Sequence, residues 1–275
     1  MGKYRWFPLR ETLFEIVHHL KRDGNPERWT EAWIKITKNG VCPSCHQSLM
    51  GTELANREFR KLQSTFLKKT LIGDDIYQRS HPLELKNFRK FVEEHAPFDI
   101  VIDSLNVASK ISQHKRSFQL RKVVEYFALE KHMKVLVIGR KHMKKWHQTD
   151  MNYIIKHASC FFLENISKDD PYLLYATMYS GPKTMFVSSD EMRDHKYLLG
   201  EVMGEIFTKW QRSRQIQFLR INKQGKIMLE WPRKENVKAQ FNSAWHIPYD
   251  NGEVRPSWQD PFTWLCLRQS TFDFK

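Results

Sequence analysis

From Phe98 onward the chain alternates short apolar runs with helical segments. That alternation restricts it to a parallel sheet covered by helices on both faces. The apolar runs are 98–102, 133–138, 159–163 and 184–188. Helices are predicted between them at 117–131, 148–157 and 170–180, the last stopped by Gly181-Pro182, and a further helix runs from Glu191 to Leu199.

Sheets of this kind bind ligands in the crevice at the carboxyl ends of their strands, and four aspartates fall there. Asp103 closes the run Phe98-Asp99-Ile100-Val101-Ile102, Asp169 and Asp170 follow Cys160-Phe161-Phe162-Leu163 after a short loop, and Asp190 follows Val187 by two serines. Several carboxylates in one crevice repel each other unless a divalent cation sits between them, and carboxylates suit Mg²⁺ or Mn²⁺. Each acid also has a structural use. Asp169 or Asp170, before Pro171, suits a helix N-cap, and Asp190 can cap the helix that follows it. Asp103, ending an Ile-Val-Ile strand, must find a partner at the sheet edge, and the Asn106 amide is placed to act as ligand or support. The basic run Arg140-Lys141-His142-Met143-Lys144-Lys145-Trp146 begins on the same edge. It reads either as a solvated loop or as a phosphate-holding segment with Trp146 for stacking.

The 275 residues carry a formal charge of +14, which favours a polyanionic partner. An acidic metal pocket in so basic a chain points to hydrolysis of nucleic acid. No stretch of about 18 apolar residues is present to span a bilayer, so no membrane partner is expected. The N-terminus lacks the apolar region of a secretory signal, and Trp6 argues against myristoylation. Four cysteines do not make a disulfide scaffold, so a reducing compartment is expected.

Before the alternating segment, Glu11 to Arg22 reads as an amphipathic helix, Trp29 to Thr37 as a strand, and Thr52 to Lys69 and His81 to His95 as helices. Past residue 205 the texture becomes antiparallel, with a hairpin around Asn222-Lys223-Gln224-Gly225, and the tail from Trp245 to Leu267 looks irregular. Cys42-Pro43-Ser44-Cys45-His46 admits three readings: c-type haem attachment, a redox dithiol, or a zinc knuckle. A knuckle needs two more ligands, for which His246 and Cys266 are candidates, while Cys160 reads as core.

The chain resembles the protein-only RNase P family, most closely its animal mitochondrial branch. The resemblance is carried by the stretch Phe98 to Ala108, Gly139-Arg140-Lys141-His142-Met143, Asp169 to Thr177, Met192-Arg193-Asp194-His195-Lys196, Trp245 to Asp250 and Trp264-Leu265-Cys266-Leu267. It implies an α/β fold: a PIN-like metallonuclease domain of the NYN type, with a parallel sheet and flanking helices, plus a small zinc-binding, β-rich central module. The implied division is a closing repeat helix at 1–24, the zinc module at 25–52 with 236–275, and the nuclease at 53–235. The implied activity is removal of the 5′ leader from precursor tRNA by an endoribonuclease that leaves 5′-phosphate and 3′-hydroxyl ends. The metal-binding acids carry over to Asp103, Asp169, Asp170 and Asp190, and the zinc ligands to Cys42, Cys45, His246 and Cys266. Asn106, Asp194, Arg140, Lys141 and His142 are expected to support the site or touch substrate. A tRNA methyltransferase and a short-chain dehydrogenase are the implied partners, in the mitochondrion. The family's upstream pentatricopeptide repeats and presequence are expected to lie outside this chain, a piece of a longer protein. Ser104 stands where the family pattern has glycine. Strain there, or a hydroxyl that captures Asp103, would favour a catalytically silent RNA-binding scaffold as the alternative.

Overall fold

The computed structural model describes residues 6–22, 28–72, 82–109, 115–165, 169–255 and 259–269. In chain order the first elements are α1 (Arg10–Arg22), β1 (Trp29–Lys35), α2 (Asn56–Ile72) and α3 (Pro82–His95). Next come β2 (Ile100–Asp103), α4 (Ser104–Ala108), α5 (Arg116–Glu125), β3 (Val135–Arg140), α6 (Gln148–His157) and β4 (Ser159–Leu163). Then follow α7 (Asp170–Ser180), β5 (Met185–Val187), α8 (Arg193–Leu199), α9 (Glu201–Arg214), β6 (Gln215–Ile221) and β7 (Ile227–Glu230). Three strands close the chain: β8 (Gln240–Phe241), β9 (Trp245–Tyr249) and β10 (Thr263–Gln269). The chain divides into two compact units, 54–232 and the two flanks 1–53 with 233–275.

The larger unit is a six-stranded sheet in the order β4-β3-β2-β5-β6-β7. The first five strands are parallel, and β7 turns back antiparallel on β6. Successive side chains in a strand face opposite sides of a sheet, which explains the unbroken apolar runs. Val101, Leu136, Ile138 and Phe186 face a core filled by α2, α3, α7 and α9 through Phe66, Phe88, Leu174 and Trp210. Ile100, Ile102, Val135, Val137 and Val187 face a second core supplied by α5 and α6 through Leu120, Val123, Val124, Met151 and Ile154. Each such side chain taken from water contributes roughly 1.5–3 kcal/mol. α7 lies deepest, with every residue from Pro171 to Met178 buried.

The smaller unit is a four-stranded antiparallel sheet in the order β1-β10-β9-β8. Leu13 and Val17 of α1 pack on one face against Tyr249, Leu265 and Leu267. Trp264 and Cys266 face the other side with Cys42, Leu49, Val237 and Ala244.

Two expectations need correction. The tail is not irregular, because β9 and β10 pair from Thr263↔Tyr249 to Leu267↔Trp245. Pro248 masks β9 in sequence, since proline inside a run argues against a strand. Helix α9, unforeseen, fills much of the stretch before the hairpin. Its signal is broken by Gly200 and Gly204, and a Cβ on Gly204 would stand 3.0 Å from Lys196 O, so the glycine allows α8 and α9 to meet closely. No described helix is long and apolar enough to cross a membrane.

Candidate active site and metal centre

The parallel register brings the carboxyl ends of β2, β3, β4 and β5 to one edge, with Asp103 paired to Ile138 at its centre. Asp103 is 6% exposed. Its Oδ1 accepts from Asn106 N at 3.0 Å, capping α4, and its Oδ2 accepts from Ser188 Oγ at 3.2 Å. Asn106 Oδ1 in turn accepts from Ser189 N at 2.9 Å, tying α4 to the loop after β5. Burial, then the neighbouring charges of Asp169 and Asp170, push the Asp103 carboxyl up to about 7.

Asp169 stands at the N-cap position of α7 but its side chain does not cap the helix. It meets Arg140 Nη2 at 3.4 Å instead. Asp170 opens α7, followed by Pro171. Asp190 does not cap the next helix directly, because α8 starts later, after Met192 in a left-handed conformation (φ 52°). Asp190 Oδ1 accepts from Met192 N at 2.6 Å, and its backbone N–H donates to Ser188 Oγ at 3.1 Å. Asp194 lies in the first turn of α8.

The basic run after β3 is largely engaged within the protein. Arg140 donates to Asn165 O as well as to Asp169, Lys141 pairs with Glu164, and His142 Nδ1 lies 2.8 Å from Asn165 Oδ1. Trp146 packs against the second core rather than standing clear for stacking.

Ser104 departs from its expectation. It begins α4 with no positive φ, and its buried hydroxyl donates to Ile138 O at 2.6 Å, not to Asp103. Gly139 makes the room: a Cβ there would meet Ser104 Oγ and Met143 Sδ at 2.9 Å each. Sequence reasoning missed Ser188, which bonds Asp103, and the Gln211 and Gln215 amides, which donate to Asp190 O at 3.3 and 2.8 Å. Only the Ser188-Ser189 pair at a strand end offered any signal.

In the smaller unit, the ligand atoms of Cys42, Cys45, His246 and Cys266 all lie within 4.8 Å of one another, a set able to hold a metal ion. β9 and β10 deliver His246 and Cys266 as direct cross-strand partners. The turn at Cys42 to His46 delivers the other two, with Cys45 Sγ 3.2 Å from His246 Nε2. Burial and the neighbouring Cys42 push the Cys266 thiol up to about 12, and burial holds the His246 imidazole below its usual range. Three sulfurs and one imidazole are a soft donor set, as a thiophilic ion requires. His46 is exposed and outside the set, which leaves no support for the haem reading. Cys160 sits in β4, its thiol pushed up to about 12 by burial. Among the described residues this is the one tight cluster of its kind; the four aspartates share an edge without closing to comparable spacing. Hard oxygen donors, and a buried carboxyl crowded by like charges, fit a hydrated divalent cation.

The family model for protein-only RNase P matches residues 36–266. The chain is 37% identical over 251 residues to the mitochondrial ribonuclease P catalytic subunit of Rattus norvegicus, covering 89% of this chain and 43% of the relative. It is 36% identical over 253 residues to the subunit of the same name from Mus musculus, covering 90% and 43%. The chain thus spans less than half the length of these relatives. Among solved structures, nuclear proteinaceous RNase P 2 of Arabidopsis thaliana aligns with a TM-score of 0.61 at 20% identity, covering 96% of this chain and 61% of that one.

Proposed function

The chain belongs to the protein-only RNase P family, and from that premise we propose that it is the nuclease part of a mitochondrial RNase P, removing the 5′ leader of precursor tRNA. The observation that carries this reading is the buried Asp103 at the centre of the strand edge, crowded by the charges of Asp169 and Asp170. Asp103, Asp169, Asp170 and Asp190 would hold Mg²⁺ or Mn²⁺. Such a cation supplies Lewis-acid polarisation of the scissile phosphate and acidifies water, so that no histidine base is needed. Asn106 and Ser188 hold Asp103 in place, and Arg140 holds Asp169. With both Asp103 oxygens engaged, the carboxylate has little freedom to turn, the condition for positioning a phosphorus for in-line attack. Attack on phosphorus by water, with the P–O3′ bond breaking and the leaving oxygen taking up a proton, would leave a 5′-phosphate on the tRNA and a 3′-hydroxyl on the leader.

Residues 54–232 form the nuclease domain in this reading. The flanking unit holds Zn²⁺ on Cys42, Cys45, His246 and Cys266, where it joins the two ends of the chain and takes no part in the chemistry. Similarity to the mitochondrial subunits supports a mitochondrial location, and the same proposal has the chain assemble with a tRNA methyltransferase and a short-chain dehydrogenase.

The test is Asp169→Asn, assayed by single-turnover cleavage of labelled precursor tRNA, with and without the two partner proteins. Because this side chain does not cap α7 and its pair with Arg140 is partly exposed, the change removes one charge and a weak ion pair. Cleavage should fall about a hundredfold or more at an unchanged melting temperature. Cleavage within a few-fold of wild type would remove Asp169 from the site.

A further inference from the structure

Asp169 and Asp170 stand where the connection from β4 enters α7, so what holds the two ends of that connection bears on where the acids sit. Glu84, in the first turn of α3, reaches both ends. Its Oε1 accepts from Glu164 N at 2.5 Å, one residue past β4, and its Oε2 accepts from Tyr172 Oη at 3.3 Å, in the first turn of α7. The two acids lie between these anchors. Tyr172 is 1% exposed, and its ring packs edge-on to Phe88 at 5.0 Å, one helical turn along α3 from Glu84. The arrangement is therefore backed by packed side chains. From the opposite side, Lys141 pairs with the Glu164 carboxylate, and Arg140 and His142 engage Asn165. A carboxylate is suited to the position because its two oxygens accept from two donors at once, and charge strengthens both bonds.

We propose that Glu84 is a positioning residue that sets the two metal-facing acids Asp169 and Asp170 from outside the crevice. The inference rests on the carboxylate site proposed above. Removing a group that orients metal ligands typically costs ten- to a hundredfold in metal affinity. Glutamine can keep the geometry, since its oxygen can accept from Glu164 N while its amide donates to the tyrosine oxygen.

The experiment compares wild type, Glu84→Ala, Glu84→Gln and Tyr172→Phe in the full chain. Mn²⁺ binding is read by electron paramagnetic resonance, and the Glu164 amide by hydrogen exchange. Glu84→Ala should weaken Mn²⁺ binding about tenfold and speed exchange at Glu164, Tyr172→Phe should weaken binding a few-fold, and Glu84→Gln should stay within about threefold of wild type. If Glu84→Ala fails to fold, Tyr172→Phe, which removes one oxygen, decides the question. Binding and exchange unchanged in the alanine or phenylalanine variants overturn the proposal. Wild type that binds Mn²⁺ without cleaving precursor tRNA would sink the substrate reading and leave Glu84 its role. Wild type that binds no Mn²⁺ would remove the carboxylate site and this inference with it.

Discussion

The Ser104 hydroxyl crosses from the start of α4 to the carbonyl of Ile138 on the neighbouring strand, and Gly139 leaves the space it occupies. Glycine in place of Ser104 would lose that bond and add backbone freedom to a helix start. Ser104→Gly should thus lower the stability of the larger unit by roughly 1–3 kcal/mol, read by denaturant unfolding. Gly139→Ala should be damaging beside Ser104, where its Cβ has no room, and milder in the Ser104→Gly background. The coupling from a double-mutant cycle should exceed about 0.5 kcal/mol, and additive effects would mean the two positions do not share one space. At this scale the sequence was legible wherever a residue's place follows from a strand end, as with Asp103, which stands buried at the edge of the sheet. It was silent on Glu84 and Gln215 and gave only a strand-end serine pair for Ser188, and their partners lie 80, 25 and 85 residues away. Their value comes from tertiary contact, which no local pattern records. The expected capture of Asp103 by the Ser104 hydroxyl failed for the same reason, because the carbonyl that takes that hydroxyl belongs to another strand.

Elements were legible where periodicity was unbroken and misread where proline or glycine interrupts it. The parallel strands stand within two residues of expectation, whereas β9 hides behind Pro248 and α9 behind Gly200 and Gly204. Gly200 has φ +78°, and a Cβ added there would meet nothing within 4 Å; its role is backbone freedom at the α8–α9 corner. Gly200→Ala should therefore cost about 1 kcal/mol in melting measurements, and no loss would show that the corner relaxes freely. In the smaller sheet the strands carry one half of the Cys/His set and a turn the other half. Cys45→Ser, or chelation, should loosen the turn at Cys42 to His46 and the β9–β10 pair together if one ion is held by all four residues. Limited proteolysis that nicks only the turn would contradict a shared ion. Just past β9, Asp250 pairs with Arg255, and that guanidinium holds the carboxyl below its usual range. A depressed carboxyl stabilises the fold above its unfolded value near 3.9 and loses that contribution as pH falls through its lower folded value. Asp250→Asn should accordingly melt below wild type at pH 6, with the gap closing toward pH 3. A gap independent of pH would assign the effect to packing.

At the scale of the whole molecule, a net charge of +14 stands against a group of acids at one strand edge. The excess of positive charge draws any polyanion by releasing its counterions, whatever its sequence. The crevice repels phosphate until its carboxylates are neutralised, so attraction and chemistry are governed by different charges. Part of the basic surface is already committed, since Arg140, Lys141 and His142 serve the loop beside the acids rather than standing ready for a phosphate. Sequence could register the sum of charges but not this internal use of them, because the pairing residues, Glu164 and Asn165, follow a different strand. RNA binding by this chain should then be weak, tolerant of sequence and steep in salt. Between 50 and 200 mM monovalent salt, affinity for a single-stranded RNA should fall about ten- to a hundredfold, as expected for release of a few counterions. Asp103→Asn should leave that dependence unchanged while abolishing cleavage, since one buried carboxyl adds little to the outer field. Fluorescence anisotropy across a salt series measures the binding, and the single-turnover assay measures the cleavage. A flat salt response would mean that the surface charge does not gather RNA, and a slope altered by Asp103→Asn would mean that the crevice itself takes part in binding.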